Sequence, residues 1–353
     1  MTRRLRPGGI VVAVVLVIAL AAGVAASMAS RTASNPIPAG YTGVEAKLPT
    51  QYPAPAKKGV SCTIGFQNPV AANEFLGYLQ KAVVAEGKRL GCKVITLDDA
   101  LSPDKQVSNM QQLLAQKVGA IIFYPLDPKA TLPVLKQAQK QGVPVVAIDA
   151  SFGNTKKVPL ISTQVWQGRD TQAYLQAQVL AKVKPNLKLG LIGIGIPVPA
   201  IKYLNGREAY WAKKVGRATI VGTQDNPSDD VTGGEKAANA LLQRYSSMDA
   251  VLGYNDPSAL GAVVAAKGVG RKLTIIGING TSDGIAGVKN GSLAATVQVD
   301  PIGIGVQTAR AAYSLITKQH LPLPAIVIRP GRLVTKQNVA RIPSWDVELK
   351  AVK

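Results

Sequence analysis

The residues of this 353-residue chain best placed to do chemistry stand at the ends of apolar runs. Gln67 and Asn68 follow "CTIGF", Asp98 and Asp99 follow "KVITL", Asp127 follows "AIIFYPL", and Asp149 follows "VPVVAI". Further on, Asn255 and Asp256 follow "AVLGY", Asn279 follows "TIIGI", and Gln298 lies inside "AATVQV". Asn73, at the start of the helical pattern after the first of these runs, joins the candidate ligand-binding set. Carboxamides and carboxylates grouped in this way pair with hydroxyls and amides, and aromatic rings can stack on an apolar face. That is the chemistry of holding a neutral polar molecule. Each residue also has an ordinary explanation, because Asx residues after strands form turns and cap helices, and aromatics pack cores. For any single position the ordinary explanation is the better one. Two polar loops in succession, "YNDPSALGA" (254–262) and "GINGTSDG" (277–284), are harder to assign to turns alone.

Catalysis finds little support. His320 is the only histidine, and the two cysteines, Cys62 and Cys92, lack the CxxC spacing of metal and redox sites. No metal and no cofactor are expected. "GLIGIG" (190–195) matches a dinucleotide loop only loosely, and Pro197 and Pro199 interrupt the helix that would have to follow. "SDD" (228–230) offers paired acids, which a loop after a strand explains as well. The formal charge of +21 raises the question of nucleic acid, but Lys and Arg are scattered singly, with no basic run interleaved with aromatics. A solvated basic surface near an anionic envelope is the better reading, with no nucleic acid as partner.

The elements that would position these residues alternate from residue 60 onward. Apolar runs are followed by helical patterns over 73–90, 104–117 and 128–141, with "PVVAID" and "PLISTQV" after them. The pattern restarts with helices over 168–183, 206–215, 233–245, 257–267 and 283–289, each beside a strand such as "LKLGLIGI" or "LTIIGING". Repetition of this kind predicts βαβ units and parallel sheets covered on both faces. Two such sets mean an α/β protein of two doubly wound lobes. Ligands of open parallel sheets bind beyond the carboxyl ends of the strands, where the polar residues above stand. A long helix (302–318) and "AIVIRPGRLV" remain, able to join either lobe.

The first sixty residues differ in kind. Arg3, Arg4 and Arg6 precede an uninterrupted apolar run over 10–26, the pattern of an export signal. Small residues favour cleavage after Ala26 or Ala29, and the run is also just long enough to remain as an anchor. The chain is therefore expected outside the cytoplasm, in the periplasm or cell envelope, free or tethered by an uncleaved N-terminus. Residues 31–59, rich in Pro, Ser, Thr and Gly, read as an extended tether. Export permits disulfides, and Cys62 and Cys92 open the first two strands. If those strands are parallel neighbours, a bridge is favoured over two buried thiols.

At "KRLGCKVITLDDALSPDKQVSNMQQLLAQKVGAIIFYPLD", "AQKQGVPVVAID", "SMDAVLGYNDPSALGAVVA" and "IIGINGTSDGIAGVKNGSLAATVQVDP", in that order, the chain resembles the type I periplasmic solute-binding proteins of ABC importers, ribose-binding branch. The resemblance covers about residues 60–339. It implies two lobes joined by a three-crossing hinge, one of residues 60–162 plus 301–328, the other of 163–300 plus 329–345. It also implies a ligand trapped between closing lobes, delivery to a membrane ABC permease, and a protein acting as a monomer without catalysis. A sensory receptor on the same fold is the alternative. The family's site residues transfer incompletely. Its acid falls on Asp149, but the arginine beside it is Ala150 here, and a second arginine falls on Asn205. Asn255 is retained, Asn279 replaces an acid, and the expected glutamine falls on Val299, one place after Gln298. Of the aromatics that the resemblance implies will stack on the ligand, Phe75 is the fair match. Phe152, Trp166 and Tyr203 lie close enough to the cleft loops to contribute, and core packing is at least as good an account of each. An Arg–carboxylate clamp is therefore expected to be missing, which points to a neutral ligand, a sugar, polyol or related molecule with an appreciable apolar face.

Overall fold

The computed structural model describes residues 34–55, 60–151, 158–318, 323 and 326–352. The export signal at 10–26, together with Phe152 and His320, lies outside the described residues. Among the described residues no helix is long and apolar enough to cross a membrane.

The first lobe opens with β1 (Cys62–Asn68), α1 (Glu74–Leu90), β2 (Cys92–Asp98), α2 (Pro103–Ala115), β3 (Ala120–Phe123), α3 (Pro128–Lys140), β4 (Val145–Ile148) and β5 (Thr163–Trp166). The second lobe holds α4 (Arg169–Leu180), β6 (Leu187–Ile194), α5 (Pro199–Lys214), β7 (Ala218–Asn226), α6 (Val231–Arg244), β8 (Ala250–Gly253), α7 (Asp256–Gly268), β9 (Thr274–Asn279), α8 (Ser282–Asn290) and β10 (Ala295–Gln298). The chain then returns through α9 (Pro301–Ile316) and β11 (Ile326–Ile328) to the first lobe, crosses again to β12 (Arg332–Thr335), and ends in α10 (Trp345–Lys350). The sheets run β11-β5-β4-β3-β1-β2 and β12-β10-β9-β8-β6-β7. All pairings are parallel except that of β10 with β12.

Local chemistry accounts for these boundaries. Short strands such as β3, β4 and β8 are buried along their whole length, as parallel strands covered by helices must be. Helix starts are capped by side chains: Asn73 on α1, Ser102 on α2, Asp127 on α3, Asp230 on α6, Asn255 on α7 and Thr281 on α8. Pro199, expected to interrupt a helix, occupies the first turn of α5, where its missing N–H has no partner to lose. Cys62 and Cys92 are register partners of β1 and β2 and form a disulfide across a Cα–Cα distance of 4.5 Å.

Three boundaries differ from the sequence reading. β5 pairs with β4 and β11, so residues 163–166 belong to the first sheet and the first crossing follows Trp166. Trp345 packs against Phe75 and Tyr78 of α1, with ring centroids 6.0 and 5.4 Å apart, so the C-terminal helix belongs to the first lobe. The stretch read as a tether is packed from Ser34 to Pro55 across the hinge. Tyr52 is buried in the first lobe, its hydroxyl 2.6 Å from the Gln164 carbonyl and 2.8 Å from Thr163 Oγ1. Seven residues earlier, the buried Glu45 carboxylate accepts the backbone N–H groups of Asp170 (3.0 Å) and Thr171 (2.8 Å), in the first turn of α4 in the second lobe. Tyr41 adds a hydroxyl bond to Asp170 (2.8 Å) and ring contacts to Tyr174 and Trp211. A proline-rich stretch has no period to betray such packing; single buried side chains hold it.

Candidate functional site

In each sheet the strand order reverses at one place, between β1 and β3 in the first lobe and between β6 and β8 in the second. A crevice opens at such a switch point beyond the carboxyl ends of the strands. The two crevices face each other. Together they enclose a cleft lined by residues of both lobes.

The first lobe supplies Pro69, Val70, Asn73, Phe75 and Leu76 after β1, Leu101 after β2, and Tyr124 and Leu126 after β3. The second lobe supplies Ile194, Val198 and Ile201 around the start of α5, Asp229 before α6, Tyr254 and Asn255 after β8, and Asn279 at the end of β9. Gln167 and Arg169, at the first hinge crossing, complete the lining. Aliphatic side chains thus form walls on both lobes around a small set of polar groups.

Arg169 is the charged centre of the hinge. It is 4% exposed; its Nε donates to Asp149 Oδ2 (3.1 Å), Nη1 to Gln172 Oε1 (3.2 Å), and Nη2 to the Tyr124 hydroxyl (2.8 Å) and Gln167 Oε1 (3.1 Å). The other oxygen of Asp149 accepts the Gln167 backbone N–H at 2.9 Å. Both oxygens of this acid are therefore engaged within the protein. Burial pushes the Asp149 carboxyl up, and the Arg169 guanidinium opposes that push.

Asp229 is the acid that lines the cleft. It accepts hydrogen bonds from the Tyr254 hydroxyl, from Asn255 Nδ2 at 2.7 Å, and from Asn73 Nδ2 of the opposite lobe at 3.1 Å. Burial raises its carboxyl above the usual range, against the pull of those donors. A second contact across the cleft joins Glu74 of α1 to the first turn of α8: Ser282 donates its N–H at 3.0 Å and its hydroxyl at 2.5 Å. The lobes stand closed on one another.

The sequence-derived candidates divide sharply. Asn73, Phe75, Asn255 and Asn279 line the cleft. Gln67 and Asn68 do not: Gln67 donates to the Gln106 carbonyl (2.7 Å), and Asn68 ties the β1–α1 turn to Leu76 (3.2 Å) and Gln80 (3.0 Å). Asp149 braces the hinge, as above. Asp256 is fully buried inside the second lobe, accepting from Thr281 N (2.8 Å) and Thr296 Oγ1 (2.6 Å), and burial pushes its carboxyl up to about 7. Gln298 points away from the cleft and accepts from Arg332 Nε at 2.6 Å. Tyr203 lies near Asp170 and Glu45 beside the N-terminal strap, and Asn205 lines a neighbouring cavity with Lys202 and Asp225. Phe152 lies outside the described residues.

The expected absence of an arginine beside Asp149 is overturned. Ala150 is not the partner; Arg169 is, twenty residues later, brought in because β4 and β5 are neighbours and α4 begins one turn past β5. The sequence signal was "QGRD" (167–170): a glycine at φ 70, which favours residues without a Cβ, followed at once by a cation opening a helix. Asp229 stood in the "SDD" noted above, Tyr124 in "FYPLD" and Tyr254 in "YND".

A family described as periplasmic binding protein domain matches residues 64–320. A ribose import binding protein of Bacillus subtilis is 30% identical over 270 residues, 76% of this chain and 87% of that protein. A xylitol-binding protein of Mycolicibacterium smegmatis is 25% identical over 254 residues, 66% of each chain. Among solved structures, a Mycobacterium smegmatis protein in complex with β-D-fucofuranose superposes with a TM-score of 0.73 at 21% identity, covering 82% of this chain and 97% of that one.

Proposed function

The chain belongs to the periplasmic binding protein family, and from that premise we propose that it is the exported solute-binding subunit of an ABC importer. Its cargo is a small neutral molecule carrying hydroxyls, a sugar, polyol or close relative with a pronounced apolar face, delivered to a membrane permease. One observation carries this reading. The closed cleft sets a few polar groups, Gln167, Arg169, Asp229, Tyr254, Asn255 and Asn279, among aliphatic walls from both lobes. Arg169 and Asp149 neutralise each other, so among the described residues the floor carries no free cation that would select an anionic solute. Val70, Leu76, Leu101, Leu126, Val198 and Ile201 favour a ring or chain with exposed C–H surface over one polar all round.

Binding to both lobes at once lets a ligand stabilise the closed state. The test is a thermal-shift panel of D-ribose, L-arabinose, D-allose, xylitol and myo-inositol with the mature chain. A compound at 100 times its Kd should stabilise by about 2.7 kcal/mol. No shift with any hydroxylated compound, against a clear shift with an anionic or amino-acid control, would overturn the reading.

A further inference from the structure

Gln167 belongs to the first hinge crossing, between β5 and Gly168, and is 0% exposed. Its backbone N–H is held by Asp149 Oδ1 at 2.9 Å, and its backbone carbonyl accepts from Gln172 Nε2. The side-chain amide has only one orientation that suits its neighbours. Arg169 Nη2, 3.1 Å away, can only donate, so it must face the carboxamide oxygen. That leaves Nε2, with two N–H groups, on the other side. Among the described residues nothing accepts from it. A buried donor without an acceptor is costly, and Gln167 lines the cleft.

We propose that Gln167 is the specificity-determining donor of the cleft, its side-chain amide hydrogen-bonding one oxygen of the bound solute. The inference rests on the reading of the cleft as a site for a hydroxylated solute and adds which residue discriminates. Aliphatic walls tell ligands apart weakly, because a missing or added methylene changes binding little, whereas a buried hydrogen-bonding group left unpaired rejects a ligand strongly. Asn73, Asn255 and Asp229 already bond one another. Among the described residues the Gln167 amide is a fully buried donor of the cleft that meets no acceptor. Its place on a hinge crossing also means that the solute oxygen is bound where the two lobes pivot.

The experiment uses two variants of the mature chain. Gln167→Glu keeps an oxygen toward Arg169 and replaces the free N–H groups by an acceptor. Gln167→Met removes both. Affinities are measured by calorimetry for the best binder among D-ribose, L-arabinose, D-allose, xylitol and myo-inositol, and for each of its monodeoxy analogues. Both variants should bind the parent compound at least about tenfold more weakly. Gln167→Met, which also takes the acceptor from Arg169 Nη2, should lower the ligand-free melting temperature, whereas Gln167→Glu, which keeps that acceptor, should not. One deoxy analogue should lose as much on the parent protein as the variants lose on the parent compound, and the two losses should not add. Unchanged affinity, fully additive losses for every analogue, or a lowered ligand-free melting temperature in both variants would overturn the inference while leaving the solute-binding reading intact. Failure of every hydroxylated compound to bind the parent protein would overturn both.

Discussion

Asp149 occupies a left-handed backbone conformation, φ 55, at the end of a fully buried strand. Asp tolerates that conformation better than most residues, and here the turn aims the carboxylate at the next crossing rather than into the cleft. A ligand-binding acid could be removed with little effect on the ligand-free fold. A brace cannot, because Asp149→Ala leaves the Arg169 guanidinium buried without its charge partner. We expect that variant to lose about 3–5 kcal/mol of stability in urea denaturation. Glu208 poses the converse case. It is 1% exposed on α5, its carboxyl faces the Gln176 amide without a well-formed hydrogen bond, and burial pushes it up to about 8 against the pull of Gln176 and Arg169. A raised carboxyl pKa means that the neutral form is favoured in the fold. Its contribution is therefore full below the unfolded value of about 4.3 and is lost as pH rises through the native one. Glu208→Gln should be about 2–5 kcal/mol more stable than the parent at pH 9 and indistinguishable from it at pH 4. Equal stabilities at pH 9 would refute it. The residue types of the cleft were legible in the sequence, but their partners were not. Asp149 and Arg169 are separated by a strand and a turn, and only the adjacency of β4 and β5 brings them together.

At the scale of elements, strands and helices were legible because their signals are local. Apolar runs mark buried parallel strands, and an Asx or Ser residue before a helical period marks a start. The N-terminal segment was not, since its order depends on contacts with residues more than a hundred positions away. Glu45 shows what the segment does: it supplies the acceptors that α4 lacks at its N-terminus, where Gly168 has no side chain to offer. Around it, Ile328 N–H donates to the Pro49 carbonyl at 2.8 Å, and Arg329 Nη1 to the Thr50 carbonyl at 3.1 Å. The segment is thus bonded to the first lobe, the second lobe and the third crossing. A substitution in a true tether would change stability by less than about 0.5 kcal/mol. Glu45→Ala should instead cost about 1–2 kcal/mol, the usual loss for a removed helix cap, read from the midpoint of chemical unfolding. A change within the tether range would show that the strap contributes no fold stability.

The whole molecule works by bringing two switch points together, and its energetics of closure rest on few direct contacts. Asn73–Asp229 and Glu74–Ser282 are hydrogen bonds from α1 to the second lobe. The Glu74 carboxylate sits at the positive end of α8, where a negative charge is favoured. In the open state that carboxylate returns to water, so the contact stabilises the closed state alone. Its net value is that of one or two hydrogen bonds, about 0.5–1.5 kcal/mol each, because water competes for the same groups. Glu74 does not line the cleft, so its removal should leave intrinsic recognition untouched and act only on the closed population. A ligand that must hold the lobes shut without the latch dissociates sooner. Glu74→Ala is therefore expected to raise Kd about three- to tenfold through a faster off-rate, for every solute by the same factor, with the on-rate and the ligand-free melting temperature unchanged. Small-angle scattering should show a larger mean radius in the variant at subsaturating solute. A loss that differed between solutes would mean that Glu74 takes part in recognition, and an unchanged off-rate would mean that closure is held by the solute itself.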